Sequence, residues 1–374
     1  MKKLNISQVD TIFANGSYPI EFLLFYRNKL DTKKIRYVLK KLSADFWPIF
    51  GEYDSGLIHF NGYLESDCFD EEIKNENFES DLSYGKFYKK YYQAVPQDLK
   101  KLFYLKIIQY KNGTVIIPKM NHLAGDGYSY FYFLSVLAQI AQNKFIPFKN
   151  CIIRSLAKPN HHRTIVKEFQ LPDIEFNTFK AESNVTIEDE YITKTDVKEK
   201  IREVAENLHS KISTNDILSA MVIKKLIEIQ ENNIGASYIF NMPIDVRRNI
   251  KEYGPKFFGN GLMFNQIKFK TDEILKSEIE EIAIQIRQGM PEVTAESYKN
   301  YLIGLENIIA EKQTDLLRPY NPETGCLVTN LSRLPANRLN FGSGNPEMIF
   351  PLTVGKNAAS ILSDDEHFIL RLVF

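Results

Sequence analysis

The segment from Leu102 to Ala141 constrains the fold more than any other, because its hydrophobic period switches within one short stretch. Two apolar runs, LFYLKIIQY and TVIIPKM, are separated by Lys111-Asn112-Gly113. Asn-Gly between apolar runs signals a β-hairpin, since both residues tolerate positive φ. The pattern then breaks at NHLAGDG, and Phe131, Leu134, Leu137, Ala138 and Ala141 return at helical spacing. The expected order is strand, turn, strand, six-residue loop, helix. Such a chain must place a polar, glycine-bearing loop where a strand hands over to a largely apolar helix.

The remaining periodicity fits that mixture. Ile35, Val38, Leu39, Leu42 and Phe46 define an early amphipathic helix, opened by Asp31 as a cap and closed by Pro48. From about residue 145 to 190 the periodicity fades and Pro147, Pro159 and Pro172 appear, which reads as a crossover between two domains. Helices are expected again around Val197 to Leu208 and from about Asn215 to Ile229, with Ser213 and Thr214 as candidate caps of the second. The segments YIFNMPI and LMFNQIKFK read as strands. A helix bearing Ile279, Ile282, Ala283 and Ile286 on one face follows, introduced by a Ser277–Glu280 capping box. GCLVTN and HFILRLVF read as late strands. Helices and strands mix without strict alternation, so the expected class is α+β with mixed sheets. At 374 residues the chain exceeds what one core usually serves, and two domains are expected: 1–160, then a linker over 161–190, then 191–374.

Composition excludes several classes. Lys plus Arg and Asp plus Glu are equal at 47 each, leaving no net field to draw in nucleic acid. Cys68, Cys151 and Cys326 are odd in number and far apart, which supports neither a disulfide framework nor a metal site. The opening MKKLNISQVD carries lysines with no apolar core after them, and no later run reaches the length of a membrane span. A soluble, cytoplasmic monomer is the expectation.

His122 is one of six histidines and has two readings: a hydrogen-bonded structural residue at a strand end, or a base. An imidazole accepts a proton at neutral pH without large tuning, its ordinary pKa being about 6.5. Gly125 and Gly127 flank Asp126 and permit a tight path, and the helix start puts His122 at an edge rather than in a core. Tyr128, Tyr130 and Tyr132 at this spacing read as core more readily than as pocket lining.

The residues His122-Leu-Ala-Gly-Asp126-Gly127 match the H-x-x-x-D-G signature, and the chain resembles the BAHD-like members of the coenzyme A-dependent acyltransferase superfamily. Four further segments follow in the family's order. Asp245-Val246-Arg247 resembles its D-x-R segment, Phe257-Phe258-Gly259-Asn260 its Y-F-G-N segment, and Val328-Thr329-Asn330 with Arg333-Leu334-Pro335 its T-S-W strand. Asn340-Phe341-Gly342-Ser343-Gly344 sits where the family carries D-F-G-W-G. The signature lies in the first half, unlike that of the chloramphenicol and dihydrolipoamide acetyltransferases, and Asn121 stands where condensation domains carry a second histidine.

The resemblance implies two chloramphenicol acetyltransferase-like domains, mixed sheets flanked by helices, with a channel between them. It implies His122 as the general base toward an acceptor hydroxyl or amine, with acyl-CoA, or an acyl carrier protein thioester, as co-substrate. No tightly bound cofactor or metal is expected. Asp126 would support the loop through an ion pair with Arg247, Thr329 or Asn330 would donate to the oxyanion, and Gly127, Gly342 and Gly344 would be structural. Asn340 and Ser343 depart from the family's Asp and Trp, which removes any ionic or indole contact made there. A catalytically silent relative that binds a ligand or partner is the alternative.

Overall fold

The computed structural model describes residues 1–7, 9–10, 19–80, 82–92, 94–96, 98, 100–142, 185–230, 235–311, 320–353 and 355–374. In chain order, the first half contains β1 (Lys2–Asn5), β2 (Ile20–Tyr26), α1 (Thr32–Leu42), β3 (Glu52–Asp54), β4 (Leu57–Phe60), β5 (Phe69–Ile73), α2 (Tyr84–Tyr91), β6 (Phe103–Tyr110), β7 (Gly113–Met120) and α3 (Gly127–Ala141). The second contains β8 (Ile187–Thr193), α4 (Lys194–Asn207), α5 (Thr214–Ile229), β9 (Ser237–Asp245), β10 (Leu262–Lys270), α6 (Thr271–Lys276), α7 (Ile279–Gln288), α8 (Ala295–Ala310), β11 (Gly325–Asn330), β12 (Met348–Pro351), β13 (Ala358–Ser363) and β14 (His367–Val373).

Among the described residues these strands form two large mixed sheets, in the orders β12-β2-β7-β6-β5 and β10-β9-β11-β13-β14-β8, and a small one, β1-β4-β3. The mixing comes from β5 running parallel to β6, and from β11 running parallel to both β9 and β13. Each large sheet carries its own core. Helices α1 and α3 bury Ile35, Leu39, Phe133 and Leu137 with Leu24, Leu105 and Ile116 of the first sheet. Helices α5 and α7 bury Ile223, Leu226 and Ile286 with Phe240, Val328 and Leu370 of the second. The first sheet's other face packs α2, and that cluster extends to Ile187 and Val373 of the second half. After β11 the chain leaves the second sheet, adds β12 antiparallel to β2, and returns as β13.

The hairpin forms as expected but by a different device. Tyr110 pairs with Gly113, and neither Asn112 nor Gly113 has positive φ. Asn112 instead accepts from the Phe78 N–H at 2.7 Å and donates to the Phe78 carbonyl, tying the turn to the neighbouring segment. Gly113 is needed for closeness: a Cβ there would lie 2.3 Å from the Tyr26 carbonyl oxygen. The capping box of α7 is Glu278 with Glu281, one residue beyond the expected Ser277–Glu280, because Ser277 already serves as the C-cap of α6. Ser213, not Thr214, caps α5, in a capping box with Asp216. Asp31 caps α1, as expected. Residues 143–184, which hold most of the expected crossover with its prolines and Cys151, lie outside the described residues, and residues 187–190, expected as the end of the linker, belong instead to strand β8. Strand β8, just beyond, has the acidic sequence IEDEYIT that hid it from the periodicity.

Candidate active site at the junction of the two halves

Strand β7 ends at Met120 and α3 begins at Gly127, which leaves the six residues 121–126 as the connecting loop. Helix α3 is buried on nearly every face, so its position is fixed and its first turn becomes a rigid platform. Tyr130 and Tyr132 are part of that packing; the Tyr130 hydroxyl donates to the Pro118 carbonyl. Tyr128 is half-buried and faces the second half.

Asp126 is the N-cap of α3 and is fully buried. One carboxylate oxygen accepts from the Ser129 N–H at 3.0 Å and from Arg247 Nη2 at 3.0 Å. The other accepts from Arg247 Nη1 at 2.8 Å and from the Gly261 N–H at 2.9 Å. Burial pushes this carboxyl up, but the charge and hydrogen bonds of Arg247 and the two N–H groups outweigh it and hold it below the ordinary carboxylate range. A carboxylate held that firmly ionised is a weak base.

Arg247 follows β9 in a 3-10 turn whose N-cap, Asp245, accepts from both the Arg247 N–H and Nη1. Its Nη2 also donates to the Gly259 carbonyl. The guanidinium lies over the rings of Tyr128 and Phe257, 4.5 and 5.4 Å from their centroids. The backbone must come close for this. A Cβ on Gly261 would sit 2.9 Å from Nη1, and one on Gly125 would sit 2.7 Å from the Ser129 Cβ. A Cβ on Gly127 would meet only Leu334, at an ordinary 3.5 Å. Ser129 completes the knot: its hydroxyl donates to the Gly259 carbonyl and accepts from the Gly259 N–H.

His122 is partly buried. Its Nδ1 lies 3.0 Å from Asn260 Oδ1, and Asn260 Nδ2 donates back to the His122 carbonyl at 3.0 Å and to Asp10 Oδ1 at 3.1 Å. Burial lowers the imidazole pKa below its ordinary value; Asp126 and the hydrogen bonds to its own backbone and to Asn260 pull the other way without prevailing. The ring is therefore neutral at neutral pH. An amide oxygen only accepts, so Nδ1 carries the hydrogen and Nε2 carries the lone pair.

Thr329 and Asn330 point to opposite faces of β11. Cys326 and Val328 lie in the second core, and Asn330 shares their face: its amide donates to Asn215 of α5 at 2.7 Å and its oxygen accepts from Ser332. Thr329 lies on the other face. Gly342 and Gly344 have φ of 113° and 105°, so their loop requires glycine. Asn340 accepts from both their N–H groups, Ser343 donates to the Lys29 carbonyl, and Gln142 at the far end of α3 donates to the Asn340 carbonyl. That loop is anchored away from His122. Asn260 stands in the Phe257-Phe258-Gly259-Asn260 segment, yet no local pattern marks its role, and none marks Ser129 or Asp10. Among the described residues no cluster of three His, Cys, Asp or Glu side chains could hold a metal ion, and no helix is long and apolar enough to cross a membrane.

The sequence model of the Transferase family matches residues 68–367. The chain belongs to that family, the BAHD-like acyltransferases. Acyltransferase GLAUCE of Arabidopsis thaliana is 24% identical over 229 residues, covering 54% of this chain and 49% of that protein. The match thus takes in about half the length of this BAHD relative. Vinorine synthase has the same fold, with a TM-score of 0.75 at 17% identity, covering 100% of this chain and 90% of that one. TRI101 of F. sporotrichioides, solved with coenzyme A and T-2, gives a TM-score of 0.74 at 14% identity, covering 100% of this chain and 95% of that one. The two large sheets are the two chloramphenicol acetyltransferase-like domains of a BAHD-like fold.

Proposed function

We propose that this protein transfers an acyl group from acyl-CoA to a hydroxyl or amine of a small-molecule acceptor, with His122 as general base. The observation that carries the reading is the division of labour between His122 and Asp126. The histidine keeps a lone pair on Nε2 while the carboxylate is consumed by four hydrogen bonds, two of them from Arg247. Nε2 takes the acceptor's proton as its oxygen or nitrogen attacks the thioester carbonyl. The tetrahedral intermediate then collapses, the C–S bond breaks, and the imidazolium returns the proton to the departing thiolate. No acyl-enzyme is needed.

The oxyanion of that intermediate needs a donor already in place. Thr329 is the better of the two candidates, since Asn330 is engaged with α5 and Ser332. The coenzyme A seen in TRI101 supports a coenzyme A donor here, and the T-2 beside it supports a small-molecule acceptor. A cytoplasmic setting accords with a soluble thioester as donor.

Purified protein incubated with short- and long-chain acyl-CoAs and a metabolite extract should release thiol and yield acylated products detectable by mass spectrometry. Thiol release at background with every donor, and no acylated product, would overturn the enzymatic reading.

A further inference from the structure

The geometry points to Asp10 as a positioning residue for His122, acting through Asn260 to hold the imidazole in its Nδ1–H form. The inference deepens the proposed role of His122 and rests on it. Asn260 is a symmetric-looking amide whose two ends do opposite things, so its orientation decides which ring nitrogen of His122 bears the hydrogen. Two acceptors fix that orientation, the His122 carbonyl and Asp10 Oδ1, at 3.0 and 3.1 Å from Nδ2. They engage the two hydrogens of the amide and leave Oδ1 for Nδ1–H at 3.0 Å.

Of the two acceptors, only Asp10 is a charged side chain, and it is nearly fully buried, at 3% exposure. A buried carboxylate behind an amide polarises it, which strengthens the acceptor that faces the ring as positive charge develops there. Asp126 also favours the charged ring through its own charge, but its carboxylate is bound to Arg247, which Asp245 pairs with as well, and it has no hydrogen-bonded path to the imidazole through Asn260. Tyr298 feels both Asp10 and Asp126, and burial raises its hydroxyl pKa far out of the working range. Asp10 is the acidic group joined to the imidazole through Asn260 by a hydrogen-bonded path.

The test uses ¹⁵N-histidine-labelled protein, with His122 assigned by comparison with His122→Gln. The wild type should show the Nδ1–H form. In Asp10→Asn, kcat should fall roughly tenfold to a hundredfold with KM unchanged, less than the ~10⁴ lost when a carboxylate touching the imidazole is changed to its amide. The acid limb of the pH profile should also move to lower pH, because a lost negative neighbour disfavours the imidazolium. A variant that is merely unstable does not show that shift. Asp10→Glu should restore the limb. If Asp10→Asn does not fold, Asp10→Ser takes its place, and failure of both with a folded, wild-type-like Asp10→Leu would overturn the proposal. An Nε2–H tautomer in the wild type, or an unchanged kcat and acid limb in Asp10→Asn, overturns it too. Undiminished turnover in His122→Gln would remove His122 as base while leaving the tautomer measurement to stand by itself.

Discussion

The two ends of α3 carry the two most recognisable loops of the chain, and they are built from different physics. At the N-terminal end the HLAGDG loop buries a full ion pair and reaches the second half through Arg247, Gly259, Asn260 and Gly261. About 22 Å away, at 1.5 Å per residue along the helix, the NFGSG loop is held by neutral hydrogen bonds and two glycines at positive φ. Phe341 packs edge-on against Tyr26, whose hydroxyl donates to the Leu339 carbonyl. The first loop matches its motif in full and the second departs from its own at Asn340 and Ser343, and only the first brings a titratable ring beside charged groups from both halves. A motif's role thus follows less from how readily it is recognised than from its place along the helix.

The sharpest way to break this contrast is to strip each loop of its central side chain. His122→Ala should lower turnover by roughly a hundredfold to ten-thousandfold with little change in thermal stability. Asn340→Ala at the other end should leave turnover untouched. Steady-state kinetics beside thermal melts decides; equal catalytic losses would end the distinction. In the same assay the acid limb of kcat/KM should fall below pH 6.5. Burial lowers the His122 pKa, so the neutral, competent base persists into more acidic solution than a free imidazole would allow.

The next largest effect separates charge from chemistry. Arg247→Met leaves the buried Asp126 charge uncompensated and should cost about 3–5 kcal/mol with activity falling alongside, and Asp126→Asn, which leaves Arg247 only the more exposed Asp245 as counter-charge, should cost less. The double variant should be less damaged than the sum, with a coupling of about 0.5–3 kcal/mol in urea titrations, whereas additive losses would show that the two are not partners in solution. Gly344→Ala forces a side chain to positive φ and should cost about 1–2 kcal/mol without altering kcat. The smallest effect belongs to Gly127→Ala, within about 0.5 kcal/mol, because Leu334 stands at contact distance. Gly125→Ala, two residues earlier, must displace Ser129 and should be plainly worse.

Much of this frame is legible in the sequence where local chemistry and tertiary need agree. The β6–β7 hairpin, the six-residue loop and α3 follow from periodicity, and the family segments follow from side chains that only a few folds place in that order. Legibility fails where a residue has two claims on it. Ser277 looks like an N-cap but ends α6, and Asn112-Gly113 looks like a positive-φ pair but serves a side-chain clamp and a close approach to Tyr26. It fails again for contacts set only by long-range packing. Asp10 and Asn260 lie 250 residues apart, and no local pattern links them. Strand β12, four residues long, offers too little sequence to announce itself.

That short strand has a consequence for anyone who would divide the molecule. Met348–Pro351 closes the β2 side of the first sheet with chain borrowed from the second half. A fragment ending before it would present β2, with its apolar IEFLLFY, as a bare row of unpaired amides and carbonyls. Such an edge invites pairing with further copies. The first half expressed alone is thus a candidate for precipitation, and supplying residues 348–351 as a peptide is the remedy the fold itself suggests.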